Sequence, residues 1–179
     1  PDYRPCEEAL VRLENEDPPT GIPVKLGFSA TPLRVIMIFG VGWECVKNFV
    51  DPQMTTGTHL SHFGQRVTFL EVEALSSSAR NASLIREAVM AMAIPESEES
   101  KSLVLLGYSK GTPDILEAIT AFPDLQQRVA AVVSIAGAVG GSPLANDSTQ
   151  SILNLLQYFP DAECGLGDEG ALESLKPEV

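Results

Sequence analysis

The sequence predicts an α/β protein with a mostly parallel sheet and helices on both faces. Three observations predict it. From residue 33 onward, apolar runs of strand length alternate with longer helical or irregular stretches. One of those runs feeds a tight glycine-flanked turn that opens a helix. The connections between runs are long enough for right-handed crossovers, which keep strands parallel in one sheet. A chain of 179 residues suits a single domain. Its 44% hydrophobic and 20% charged residues are those of a folded protein with its own core, which excludes disorder and a coiled coil.

Residues 1–32 carry Pro1, Pro5, Pro18, Pro19, Pro23 and Pro32 around one short helical candidate, Glu7 to Leu13, and read as an N-terminal arm wrapped on a core. Residues 33–142 form that core. Leu33 to Phe39 is the first strand, apolar almost throughout as a strand covered on both faces requires. It ends at Gly40-Val41-Gly42. A connection through Asp51-Pro52 leads to the second strand, Gln65 to Val72. Ser76 to Ser78 then caps a helix over Asn81 to Met92, whose Leu84, Ile85, Ala88, Val89 and Met92 recur at helical spacing. After the acidic loop Pro95 to Ser100 comes the third strand, Lys101 to Leu106, running into Gly107-Tyr108-Ser109-Lys110-Gly111. Asp114 to Phe122 is a helix with Pro113 in its first turn, where a missing N–H costs nothing. Asp114 reads as first-turn charge, and Glu71 and Glu73 as strand-end surface charge. Arg128 to Ile135 is the fourth strand, opening into the small-residue loop Ala136 to Ser142. Residues 143–179 break the pattern. Thr149 to Phe159 reads as an amphipathic helix, so this part is expected to start a helical lid or cap, or to form a C-terminal helical segment.

Charge and cysteine usage narrow the partners. Twelve basic against twenty-four acidic residues give a net charge of -12, a field that repels a phosphate backbone, so no nucleic-acid partner is expected. No apolar run approaches the roughly 20 residues of a transmembrane helix. Cys6, Cys45 and Cys164 cannot all pair and form no CxxC or zinc-type cluster, so they read as thiols in a reducing compartment, and a cytoplasmic location is expected.

The chemistry is carried by the turn after the third strand. Gly107 and Gly111 let the backbone fold sharply, and Ser109 is thrust out above the sheet edge at the N-terminus of a helix. Unpaired N–H groups and the helix dipole converge there, which suits an oxyanion. In parallel sheets, ligands bind outside the carboxyl ends of the strands. Gly40-Val41-Gly42, read as a nucleotide loop, lacks the third glycine, since Cys45 stands there.

This G-x-S-x-G between strand and helix resembles the α/β-hydrolase family, and within it the esterases and lipases, over about residues 33 to 142. Phe39-Gly40-Val41-Gly42 is similar to the family's His-Gly-x-Gly oxyanion loop, with Phe39 in place of the histidine. The resemblance implies Ser109 as nucleophile, oxyanion donors at the backbone N–H groups of Val41 and Lys110, and a small-molecule acyl or ester substrate. Gly40, Gly42 and Tyr108 would border the substrate cleft, and His59 or His62 could line it. Lys110 itself reads as a solvated side chain. The Ser76 to Ser78 stretch with Asn81 also looks like the post-strand loop and helix of lipase-like hydrolases.

The family places its acid and histidine after the serine, yet no histidine follows Ser109. Asp147 is the candidate acid, with a helix N-cap as its competing role. His59 and His62, three residues apart, could share a helix face, but no ligand set completes a metal site, and neither metal nor organic cofactor is required. The sheet is therefore expected to be incomplete at its C-terminal side, and the isolated chain is expected to self-associate. A non-catalytic binding or scaffold protein on this fold, or a peptidase or thioesterase, stays open as an alternative.

Overall fold

A computed structural model of the chain describes residues 33–46, 57–93, 102–148, 153, 155–158 and 165–177. The arm at 1–32, Asp51-Pro52, the acidic loop 95–100, Cys6, Cys164 and most of the Thr149 to Phe159 stretch lie outside the described residues. Four strands form one sheet: β1 (Arg34–Ile38), β2 (Arg66–Leu70), β3 (Leu103–Tyr108) and β4 (Val129–Ile135). Their order is β2-β1-β3-β4 and every pairing is parallel. The helices are α1 (Trp43–Val46), α2 (Thr58–Ser61), α3 (Ser78–Ala91), α4 (Gly111–Ala121) and α5 (Leu144–Asp147).

Strand alternation sorts the apolar residues onto two faces. Ile36 and Ile38 of β1 join Leu103 and Leu105 of β3 beneath α3 and α4, where Ala82, Ile85, Val89, Ile115 and Ala118 close the larger core. Val35, Met37 and Phe39 point the other way with Val104 and Leu106, and Trp43 of α1 packs on them. This two-sided burial is why β1 and β3 read as continuous apolar runs. The outer strand β4 is equally apolar but sits at the sheet edge, and Val133 and Ile135 are 41% and 40% exposed.

Both long helices begin three residues before the apolar pattern does. Ser77 caps α3, its hydroxyl accepting from the Arg80 N–H at 3.1 Å, so the helix opens at Ser78 rather than Asn81. Likewise α4 opens at Gly111, directly on the turn, because the chain turns from β3 into the helix with no spacer. The third strand reaches Tyr108, two residues past the predicted end, through its parallel pairing with β4.

Connectivity defines where a ligand belongs. From the central β1 the chain steps outward to β2, then crosses back to β3 on the other side of β1. Such a reversal opens a crevice at the carboxyl ends of the two strands that flank it. Here those ends carry Gly40 and Ser109. Two outcomes are expected from this packing. Leu105→Ala, at a site with no exposure, lowers unfolding free energy by about 2–5 kcal/mol in urea denaturation. The isolated chain is expected to self-associate through the apolar β4 edge, which pairs with no further strand among the described residues, seen as a rise in light-scattering mass with concentration; a monomer throughout would count against this.

Candidate active site

The turn between β3 and α4 holds its serine in a conformation that L residues avoid. Ser109 has φ 54°, in the left-handed region, at a cost of about 1–2 kcal/mol. Three backbone hydrogen bonds secure it. The Ser109 N–H donates to the Ile135 carbonyl at 3.0 Å, and the Ser109 carbonyl accepts from Thr112 at 3.2 Å and from Ala138 at 3.3 Å. The flanking glycines are there for close approach. A Cβ on Gly107 would lie 2.6 Å from the Thr112 backbone, and one on Gly111 2.3 Å from the Ile38 carbonyl oxygen. The start of α4 is thus pressed against the end of β1.

Across the crevice stands the loop after β1. A Cβ on Gly40 would come within 2.8 Å of both the Lys110 nitrogen and the Ser109 Cβ, and 3.1 Å from the Ser109 Oγ. Gly42 takes φ 75°, and the loop closes into α1 by a bond from the Trp43 N–H to the Gly40 carbonyl at 3.3 Å. Among the described residues, the Val41 and Lys110 N–H groups have no backbone acceptor. A cavity of about 270 Å³ lies between loop and turn, lined by Phe39, Gly40 to Gly42, Trp43, Tyr108 and Ser109. Its wall is aromatic. Phe39 stacks on Trp43 at 3.9 Å between ring centroids and on Phe69 at 5.9 Å, and Tyr108 meets it edge-on at 6.4 Å.

Six of the residues singled out from sequence therefore meet at one place: Gly40, Val41, Gly42, Tyr108, Ser109 and Lys110. His59 and His62 do not line this cavity. Both are exposed, on α2 and just after it, with the His59 ring edge-on to Phe63 at 5.2 Å. Asp147 is exposed at the end of α5 and does not line the cavity either. No group of three metal-ligating side chains occurs among the described residues.

Beneath the turn lies an arrangement that corrects one expectation and extends another. Lys110 is buried rather than solvated; Asp114 is the first-turn charge of α4 that the sequence predicts, and it too is buried, each side chain 1% exposed. The Lys110 ammonium donates to both Asp114 oxygens, at 2.7 and 3.0 Å. The physical reason is helical spacing: four residues apart, the two side chains meet on the core face of α4. Burial pushes the Lys110 ammonium below the ordinary lysine range, and the Asp114 carboxylate offsets part of that push. A second correction concerns Cys45, which is buried and disulfide-bonded. An odd number of cysteines excludes full pairing but not one bond, and a disulfide persists in oxidising surroundings.

The segment after residue 164 docks beside this network. Asp168 accepts from the Ser77 N–H at 2.6 Å, the Ser77 hydroxyl at 2.5 Å and the Gly170 N–H at 3.0 Å, while its own N–H donates to Ser76. Glu73 pairs with Arg80 at 3.0 Å. Nothing in the sequence marked Asp168, because its partners lie some ninety residues earlier.

A parallel sheet, a crevice at its reversal point and a left-handed serine between strand and helix define an α/β-hydrolase fold of the esterase and lipase type. The structure is similar to that of a metagenomic carboxyl esterase, with TM-score 0.71 and 38% identity over 92% of this chain. The chain spans about half of that esterase, 48% of its length. A Bacillus licheniformis lipase in mature form (TM-score 0.54, 20% identity, 86% of this chain and 61% of the lipase) shares the fold. So does a phospholipase from Legionella pneumophila (TM-score 0.52, 15% identity, 81% of this chain and 33% of the phospholipase). No protein-family model and no curated protein matches the chain.

The Asp168 contact has a pH signature. Burial pushes its carboxyl up, but the Ser77, Gly170 and Ser76 hydrogen bonds outweigh this and leave it below the ordinary aspartate range. A depressed carboxyl stabilises the folded state fully above its unfolded pKa and loses that contribution as pH falls through the folded value. Amide exchange at Ser77 and Gly170 is therefore expected to accelerate only below the ordinary aspartate range; protection that is flat down to full protonation would contradict this.

Proposed function

We propose that this chain carries the nucleophile and the oxyanion hole of a carboxylic-ester hydrolase. The observation that carries the reading is Ser109, held left-handed at the end of β3 and facing the Gly40–Gly42 loop across the aromatic-walled cavity. The Ser109 hydroxyl attacks the acyl carbonyl. The hydroxyl gives its proton to a base, and the carbonyl oxygen, as it becomes negative, is met by the Val41 and Lys110 N–H groups; the ester C–O bond then breaks, the alcohol leaves with that proton, and water hydrolyses the acyl-enzyme to the carboxylic acid and free Ser109. An N–H donor with no backbone acceptor among the described residues is suited to this task, since it can tighten on the oxyanion. The aromatic wall of Phe39, Trp43 and Tyr108 gives an acyl group an apolar surface to lie against. The 38% identity to a carboxyl esterase supports the substrate class.

A serine hydroxyl needs a base. No histidine follows Ser109, and His59 and His62 stand off the cavity, so the base and its acid are assigned to sequence outside these 179 residues. The similarity to a protein about twice as long supports that assignment. One observation favours a second reading, a non-catalytic relative that keeps the turn for binding: the same absence of a histidine after Ser109.

Fluorophosphonate labelling with mass spectrometry separates the two. A protein that extends this segment is expected to take one adduct at Ser109, and Ser109→Ala is expected to lower ester hydrolysis by roughly 10³-fold or more. The 179 residues alone are expected to stay unlabelled while folded. An adduct at another serine, or none in the longer protein, would overturn the catalytic reading in favour of the binding one.

A further inference from the structure

Lys110 faces two ways. Its backbone N–H lies at the crevice beside Gly40, while its side chain runs into the interior to end on Asp114. The Asp114 carboxylate is shared by two helices. Besides Lys110 it accepts from the Ser78 hydroxyl at 2.6 Å and from the Asn81 amide at 2.8 Å, both on α3. Asn81 also donates to the Glu73 carbonyl at 3.0 Å, and the Ser78 N–H donates to the Ser174 hydroxyl at 2.8 Å. The turn's tightness does not require this pair, because Gly107 and Gly111 already allow the close approach to β1. Burying two charges is costly unless geometry and hydrogen bonds repay it, and what such a pair supplies is a defined arrangement.

We propose that Lys110 and Asp114 are positioning residues for acyl transfer, the ion pair beneath the turn fixing the peptide that presents the oxyanion donor. This rests on the reading of Ser109 as nucleophile. The peptide between Ser109 and Lys110 follows a left-handed residue, so any relaxation of Ser109 toward an extended conformation swings the Lys110 N–H away from the crevice. Ile135 and Ala138 hold Ser109 itself by its N–H and carbonyl. The Lys110 side chain holds the far end of the peptide by an anchor that two helices share. The pair therefore acts through the backbone of its neighbour and does not touch substrate.

The test uses Lys110→Met/Asp114→Asn in the full protein, which removes both charges at nearly constant volume and strands neither. Amide exchange at Ser109 to Gly111 is expected to rise about tenfold while Leu103 to Leu106 stays protected, and kcat for a p-nitrophenyl ester is expected to fall about tenfold or more with KM within twofold. Removing the surface pair of Arg86 and Asp124, 2.7 Å apart between α3 and the loop after α4, serves as control and leaves both readouts unchanged. If the double variant does not fold, Lys110→Met alone is read in the same way, since the Asp114 carboxylate keeps its bonds from Ser78 and Asn81. Unchanged exchange at Ser109 to Gly111 in a folded variant overturns the proposal, as does a loss that appears in KM instead of kcat. Failure of the nucleophile reading shows itself separately, as hydrolysis that survives Ser109→Ala, and leaves the exchange measurement intact.

Discussion

One residue held in a left-handed conformation governs the architecture around it. Ser109 cannot keep φ 54° alone, since the local energy favours relaxation; its neighbours must over-determine it. They do so from four directions: Ile135 and Ala138 from the strand and loop of β4, Ile38 from β1 through contact with Gly111, and Asp114 from the interior. Each requires a particular element to be adjacent. β3 must lie between β1 and β4, and α4 must begin without a spacer, which is the observed order and the observed start.

The same constraint explains why the crevice is apolar on one side and polar on the other. Because β1 ends next to the turn, the residue closing β1 becomes part of the cavity wall. Phe39 fills that position, and Trp43, one turn of loop later, stacks on it at 3.9 Å. The opposite side consists of backbone: the Gly40–Gly42 loop and the first residues of α4, whose N–H groups point outward as at any helix start. An ester has this polarity, an apolar acyl part beside a carbonyl.

What could be read in the sequence was what local sterics and periodicity dictate. The strands β1 and β3 are legible because burial on both faces leaves no polar position, and the turn is legible because glycine at 107 and 111 has no cheaper explanation than close approach. Lys110 reads as solvated, and the burial of Asp114 is not legible, because a pair spaced by four carries the same letters on a solvated face as on a buried one; only the packing of α3 against α4 decides which. β4 was read as one more strand, but sequence cannot show that it lies at an edge, since its apolar run resembles those of β1 and β3. The helix starts were placed late for a simpler reason. The first turns of α3 and α4, Ser78-Ala79-Arg80 and Gly111-Thr112-Pro113, carry residues of caps, surface and close packing rather than an apolar stripe.

The buried charges also follow from where the helices point. The N-termini of α3 and α4 converge under the turn, and each brings the positive end of a dipole and first-turn N–H groups that must find their acceptors outside the regular helical ladder. A carboxylate is favoured there and an ammonium is not. Asp114 sits in the first turn of α4 and takes a hydroxyl from the first turn of α3, while Asp168 reaches the start of α3 from a distant segment and accepts the Ser77 N–H. Lys110 stands against this field, which helps explain why its anchor must be a carboxylate held by three donors rather than a carbonyl or a hydroxyl. Without Asp114, the ammonium would face two helix dipoles in a dry interior, and the side chain would be driven toward solvent. Because the Lys110 backbone is continuous with the turn, that movement would be transmitted to the peptide beside Ser109, so the charge pattern of the helix starts and the shape of the crevice are one problem with one solution.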